Sequence, residues 1–265
     1  MKEDNADELA RRNLYLFFSA VFSNPVGERF KLLEEDDFRQ KTRRSLEFYA
    51  QDQTMLASTG PDELVKHDVD LTAFLEEPDW SRESVREEYK SVFGLTVDED
   101  CPPHEVEYCE KTDLFYRSQL MADVGGFYKG FGLNPEDKNP ERVDHIRLEL
   151  EFMYYLFTKL LHGRQEGHDS ENLETIEDAL EDFYREHIGW WVPRFGRALE
   201  EKTESDFFAR AGRLLRWFCL RERLAFGLPV FDERPEPNVP DTDPEAACFD
   251  CAASKMGGQA QTVTP

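Results

Sequence analysis

The chain has 265 residues, of which 56 are Asp or Glu and 32 are Lys or Arg, so its formal net charge is −24. This charge argues against a protein that coats nucleic acid or an anionic bilayer, because both polyanions would repel it. Hydrophobic residues make up 40% of the chain, which is enough for a packed core and argues against a wholly disordered protein. No stretch has the roughly 18 consecutive apolar residues that a membrane span needs, so membrane insertion is not expected.

The acidity itself has two interpretations. Acidic residues are spread along the whole chain, as expected of a protein from a salt-loving organism. The same excess could also include a local patch that binds a basic partner. The composition leaves both open.

The first predicted element is an amphipathic helix that includes Leu14–Phe22. Arg11-Arg12 stands just before this stretch, as an arginine pair does in a twin-arginine export signal. Acidic residues precede the pair, and no convincing small-residue cleavage site follows, so a helix is the better interpretation.

Two helices are predicted next. Ser84–Phe93 begins with the capping-box pattern Ser84-x-x-Glu87 and stops at Gly94. Residues 113–131 form a second helix, in which Gly125-Gly126 favours a tight packing contact over a phosphate cradle.

The strongest helical pattern covers Glu141–His162, between Pro140 and the stop signal Gly163. Its apolar residues recur at spacings of three and four, which places them on one stripe. The stripe consists of Val143, Ile146, Leu150, Met153, Phe157 and Leu160.

Further helices are expected at 170–187, 190–201 and 205–226, and strand signals are scarce. The sequence therefore predicts a single globular all-α domain of roughly eight to ten helices over residues 1–228. Residues 229–265 are rich in proline and acidic groups and are predicted to form a flexible tail. The segment 132–140 links two strong helices and could act as a hinge.

Enzyme signatures are missing from the sequence: no phosphate-binding loop, dinucleotide fingerprint, nucleophile elbow or zinc-protease motif is found. We therefore expect no catalysis and no cofactor. Asp144, His145 and Glu149 lie off the apolar stripe, facing solvent, a groove or a neighbouring loop. They could cap the helix, bind a ligand or act as a general base.

The five cysteines are odd in number and too sparse for a disulfide scaffold, which favours a reducing cytoplasm. An alternative function is a small helical metal-binding or redox-sensing protein, although the cysteine spacings are merely permissive for zinc. Its ligands would be Cys101, His104, Cys109, Cys248 and Cys251.

The Pro-Pro step at 102–103 holds the following segment extended, and carboxylates alternate there with an aromatic residue. Glu105 and Glu107 beside Tyr108 could take the guanidinium groups of an Arg-containing peptide. A solvated loop anchored by Tyr108 explains the pattern equally well.

Four motifs follow one another through the middle of the chain. In order they are Glu88-Tyr89-x-x-Val92-Phe93-Gly94, Pro102-Pro103-x-Glu105-x-x-Tyr108, Ala122-Asp123-Val124-x-x-Phe127-Tyr128-x-x-Phe131-Gly132-Leu133 and Glu141-Arg142-Val143-Asp144-His145-Ile146-x-x-Glu149-Leu150-Glu151-Phe152-Met153. Together they resemble the TorD/DmsD/NarJ family of cytoplasmic chaperones for molybdenum enzymes. Within it, the subgroup serving type II enzymes of the dimethyl sulfoxide reductase family is the most similar.

The resemblance implies an all-α, non-enzymatic protein that holds the catalytic subunit of a molybdopterin oxidoreductase until its cofactor is inserted. It also implies binding of the twin-arginine leader of that subunit, and a homodimer formed by helix exchange is conceivable. The resemblance places the leader-binding motifs at Tyr89, Val92, Phe93, Pro103, Asp144 and His145. The full predicted partner-binding site adds His104, Glu105, Tyr108, Asp123, Phe127 and Glu149.

A leader peptide carries a basic pair followed by an apolar segment, so it needs carboxylates beside an apolar groove. Asp144, Glu149 and Glu105 are expected to meet the arginines, and the aromatic residues to line the groove. His104 stands where some family members have an aromatic residue, so binding could become pH-sensitive.

Overall fold

A computed structural model of the protein describes residues 4–51, 80–94, 101–109, 114–134 and 141–228. Within these ranges the chain forms nine α-helices and no β-strand, which confirms the all-α prediction. The helices are α1 (Asp4–Val21), α2 (Glu28–Lys31), α3 (Asp36–Gln51), α4 (Arg82–Phe93), α5 (Leu114–Gly130), α6 (Ile146–Glu166), α7 (Ser170–Phe183), α8 (Val192–Lys202) and α9 (Asp206–Ala225). One-turn 3₁₀ helices lie at Leu32–Glu34 and Glu105–Tyr108, and a π-helical turn, Tyr184–Ile188, follows α7 directly.

Three predictions concern segments outside the described residues. They are the flexible tail at 229–265, the role of Cys248 and Cys251 as metal ligands, and the hinge at 132–140, most of which is outside the described ranges.

The first helix lies against α3 and α6 at the centre of the fold, as its apolar pattern predicts. Leu14, Tyr15 and Phe18 are fully buried on α1. Arg11 is also buried, and its Nε and Nη2 donate to the two carboxylate oxygens of Glu222 on α9 at 2.8 and 3.0 Å. Tyr15 Oη donates to the same carboxylate at 2.6 Å, so the first arginine of the Arg11-Arg12 pair is part of the core.

The apolar stripe of α6 packs into the core as predicted except at Val143, which precedes the helix and is half-buried, and both ends of the helix differ from the prediction. The helix begins at Ile146 because His145 is its N-cap residue. It runs through the buried Gly163 and ends at Gly167, whose φ of 72° suits the left-handed position after a helix.

Local predictions about α4 and α5 need two corrections. The cap of α4 is Ser81, which exchanges side-chain and backbone hydrogen bonds with Ser84, so the box lies three residues earlier than expected. Gly125 and Gly126 make no tight packing contact, because none of the described residues comes within 4 Å of a Cβ placed at either position.

Two glycines set the close crossing of α8 and α9. A Cβ at Gly212 would lie 2.5 Å from the carbonyl oxygen of Gly196, and a Cβ at Gly196 would lie 2.8 Å from that of Gly212. The two backbones can therefore approach this closely only because neither residue has a side chain.

None of the helices described here has the length and hydropathy to cross a membrane.

Candidate functional site

The loop Cys101–Cys109 lies on the start of α6 and is held there by main-chain hydrogen bonds. The N–H of Ile146 donates to the carbonyl oxygen of Pro103 at 2.9 Å, and the N–H of Glu105 donates to that of Asp144 at 3.0 Å. His104 and His145 form an antiparallel bridge between the two segments. Within the loop, all residues except His104 are buried.

Asp144 is fully buried, and both of its oxygens accept hydrogen bonds. The N–H of Val106 donates to Oδ2 at 3.2 Å, and Arg142 donates through Nε to Oδ1 at 3.0 Å and through Nη2 to Oδ2 at 2.7 Å. Arg142 also donates to Glu107 at 3.0 Å, and Arg117 pairs with Glu107 at 3.2 Å. The carboxylates of Asp144 and Glu107 are thus neutralised by the guanidinium groups of Arg142 and Arg117.

Glu105 and Glu149 are two further buried carboxyl groups, and each is bound to an indole. Trp190 Nε1 donates to Glu105 at 2.9 Å, and Trp191 Nε1 donates to Glu149 at 3.0 Å. Burial raises the pKa of Glu105 to about 7. Burial and the negative charges of Glu105 and Asp144 raise the pKa of Glu149 well above its ordinary value. The neutral form of Glu149 is therefore favoured.

His145 caps α6, as one of the three sequence interpretations holds. Its Nδ1 accepts a hydrogen bond from the N–H of Arg147 at 3.1 Å, and its ring meets that of His104 edge-to-face at 5.1 Å. Burial and the positive charge of Arg147 lower the pKa of His145 to about 3, and burial lowers that of His104 to about 4. Both rings are neutral at neutral pH, so His104 titrates below the range in which a pH-sensitive contact was expected.

The predicted partner-binding residues divide into a buried and an accessible group. The buried group consists of Val92, Pro103, Glu105, Tyr108, Asp144, His145 and Glu149. The accessible group consists of Tyr89, Phe93, His104 and Phe127, which are half-buried, and Asp123, which is exposed. The acidic triad Glu105, Asp144 and Glu149 faces the Cys101–Cys109 loop and the two tryptophans, rather than an open groove.

Beside this buried centre lies a half-exposed rim formed by Tyr89, Phe93, Glu141, Arg147 and Glu151. The rings of Tyr89 and Phe93 are 5.0 Å apart, and burial with the negative charge of Glu141 raises the pKa of Tyr89 to about 12. Arg147 donates to Glu141 at 2.6 Å and to Glu151 at 2.7 Å. Both glutamates belong to the fourth sequence motif but not to the predicted partner-binding residues, although the spacing of Arg147 and Glu151 is typical of a pair on one helix face.

The alternative cysteine site gains no support within the described residues. Cys101 and Cys109 are buried thiols, and burial raises the pKa of Cys109 to about 12, so it stays protonated. In these ranges Cys101, Cys109 and His104 do not form a group of three ligands close enough to share an ion.

The loop, the rim and the tryptophans all lie within a region that matches a known protein family. The family model described as nitrate reductase delta subunit matches residues 61–197, just over half of the chain. The chain belongs to the nitrate reductase delta subunit family. This confirms the family resemblance derived from the four motifs.

Three named chaperone proteins are similar to the chain at low identity. The TorD chaperone protein of Vibrio parahaemolyticus is 23% identical over 229 residues, which cover 83% of this chain and 95% of that protein. The perchlorate reductase assembly chaperone protein of Dechloromonas aromatica is 30% identical over 92 residues, covering 35% of this chain and 40% of that protein. The selenate reductase assembly chaperone protein of Thauera selenatis is 30% identical over 91 residues, covering 34% of this chain and 45% of that protein.

Proposed function

We propose that this protein is a maturation chaperone for a molybdenum-containing reductase. Membership of the nitrate reductase delta subunit family carries the proposal, supported by relatives whose names describe assembly of perchlorate and selenate reductases. The chain acts in the cytoplasm and catalyses no reaction of its own. It binds the catalytic subunit of a molybdopterin oxidoreductase until the cofactor is inserted.

The twin-arginine leader of that subunit docks on the half-exposed rim. The Tyr89–Phe93 ring pair offers an apolar surface, the negative charge of Glu141 acts on Tyr89, and Arg147 joins Glu141 to Glu151. Carboxylates take guanidinium groups in bidentate hydrogen bonds, so a leader arginine can replace Arg147 on Glu141. The net charge of −24 draws a cationic peptide toward the chain.

The buried acids position this rim instead of meeting the leader directly. Asp144 and Glu105 already accept hydrogen bonds from Arg142, Val106, His187 and Trp190. They join the Cys101–Cys109 loop to the first turn of α6, and that turn carries Arg147. This refines the sequence hypothesis, in which Asp144, Glu105 and Glu149 contact the arginines themselves.

Calorimetry of the full chain with a synthetic twin-arginine leader peptide tests the docking site. Glu141→Gln removes one carboxylate and is expected to weaken binding about tenfold, the effect of losing one charge-assisted hydrogen bond. Tyr89→Ala removes part of the apolar surface and lowers affinity as well. Glu174→Gln, an exposed residue on α7, is the matched control and leaves binding unchanged.

A second peptide separates charge from apolar contact. Replacing both arginines by glutamine keeps the apolar segment and abolishes the affinity that depends on Glu141. The leader proposal is wrong if the wild-type chain gives no heat, or if Glu141→Gln and Glu174→Gln bind the peptide equally.

A further inference from the structure

His187 lies on the π-helical turn after α7, and one of its two ring nitrogens, Nδ1, lies beside a partner. Its side chain is 1% exposed, and its Nδ1 lies 3.1 Å from the Glu105 carboxylate. Phe127 and Phe183 pack against the ring at centroid distances of 5.4 and 5.0 Å. With Nδ1–H donated to Glu105, the lone pair on Nε2 is fixed in direction.

The Nε2 atom is buried and makes no hydrogen bond with any described residue. A polar atom in such a position is unusual, because buried nitrogen atoms nearly always have a partner. It lies beside the carboxylate of Asp123, and that of Glu186 is close by. The nearest oxygen of Asp123 on α5 lies 3.5 Å away, and one ligand atom each of Asp123, Glu186 and His187 lies within 4.8 Å of the others.

These distances suit a metal ion better than a hydrogen bond. Two ligand atoms at about 2.1 Å from a tetrahedral ion stand roughly 3.4 Å apart, close to the separation of Nε2 and the Asp123 oxygen. The side chains of Asp123 and Glu186 are exposed, so each carboxylate can rotate toward an ion in front of the fixed imidazole. A histidine whose second nitrogen is bound by a carboxylate is the usual arrangement behind a metal-ligating imidazole.

We propose that Asp123, Glu186 and His187 bind a divalent first-row transition-metal ion, for which Zn²⁺ is the probe. One neutral imidazole and two carboxylates balance the charge of a dication. The imidazole selects against Mg²⁺ and Ca²⁺, which prefer oxygen ligands throughout. Water fills the fourth position, since the two carboxylates face solvent.

The ion joins α5 to the π-helical turn. Among described residues, α5 otherwise meets this turn through the aromatic contact of Phe127 with His187. Metal binding therefore stabilises the folded chain, and the gain grows with the logarithm of the free metal concentration once that concentration exceeds Kd. This inference does not depend on client binding.

Zn²⁺ titration of the full chain, after removal of metal with a chelator, tests the site by competition with a chromophoric indicator. Wild type binds one ion per chain. Asp123→Asn/Glu186→Gln weakens binding by more than the roughly 10- to 100-fold cost of losing an outer-shell partner. These two side chains are exposed, so the double variant keeps the wild-type circular dichroism, and Zn²⁺ no longer raises its Tm.

Glu174→Gln/Asp178→Asn on α7 makes the same charge change on exposed side chains and keeps full affinity. Cys248→Ser/Cys251→Ser also keeps full affinity, because the tail cysteines take no part. Co²⁺ bound to the wild-type chain shows no thiolate charge-transfer absorption. The site is overturned if Asp123→Asn/Glu186→Gln binds as wild type, if the α7 control loses as much affinity, if the cysteine variant loses the ion, or if wild type binds none.

Discussion

Asp144 accepts a hydrogen bond from the backbone N–H of Val106 at 3.2 Å, across 38 residues of sequence. The contact fixes the Cys101–Cys109 loop on α6, and Arg142 donates two further hydrogen bonds to the same carboxylate. The most characteristic motif of the chain is therefore part of its folded core.

Replacing Asp144 by Asn is expected to destabilise the fold. The variant leaves Arg142 without its bidentate acceptor, and because Arg142 is 35% exposed we expect about 2 to 3 kcal/mol rather than the full cost of a broken buried pair. Urea unfolding measures the loss of unfolding free energy, with the exposed Asp178→Asn on α7 as control. If Asp144→Asn keeps wild-type stability yet abolishes leader binding, Asp144 contacts the leader directly and the positioning role is wrong.

Glu149→Gln is expected to stabilise the protein at high pH. The fold raises the pKa of Glu149, so its contribution to stability is complete below the ordinary pKa and is lost as pH rises through the folded value. Glutamine accepts the Trp191 hydrogen bond without carrying charge. The Tm of the variant should exceed that of wild type at pH 8 and approach it at pH 5; an equal Tm at pH 8 contradicts the raised pKa.

His145→Asn should flatten the acid side of the stability profile. The fold lowers the pKa of His145 from 6.5 to about 3, so its contribution is complete above the ordinary value and declines as pH falls toward 3. Asparagine is a good N-cap residue and does not titrate. Urea unfolding at pH 7.5 and pH 5 should show that the free energy of unfolding falls less for the variant than for wild type. An identical fall would assign the acid sensitivity to other groups.

Two glycine substitutions are expected to change stability in opposite directions, because one glycine lies at the crossing of α8 and α9 and the other lies on α5, in space that none of the described residues fills. Gly212→Ala forces a Cβ against the carbonyl oxygen of Gly196 and should cost at least the roughly 1 to 3 kcal/mol of an overpacked core. Gly125→Ala meets none of the described residues and should stabilise α5 by up to about 1 kcal/mol. Thermal unfolding of both variants measures the two changes in stability. A Gly212→Ala variant as stable as wild type would contradict the close approach of the two helices.

Periodicity predicts the helices well because apolar spacing is a local property. The stripe of α6 from Ile146 to Leu160 is buried as expected, and on α9 Phe208, Ala211, Leu215 and Phe218, which recur at spacings of three and four, all lie in the core. The start of α6 was placed five residues too early, since the residues before Ile146 bind the Cys101–Cys109 loop, and their own spacing does not reveal this.

The buried polar contacts could not be predicted from the sequence. Arg11 and Glu222 are 211 residues apart, and nothing local to either indicates the other. Glu105 meets His187 and Trp190 through contacts between separate segments. The motifs located these side chains along the chain, but burial and pairing depend on the whole fold.

The role in reductase maturation is tested most directly by the molybdenum content of the molybdopterin oxidoreductases in cells with and without this protein. The catalytic subunits are purified from both strains, and molybdenum is measured per polypeptide by mass spectrometry. At least one catalytic subunit should lose most of its molybdenum without the chaperone and regain it when the wild-type chain is restored. Unchanged molybdenum in every catalytic subunit would contradict the proposed function.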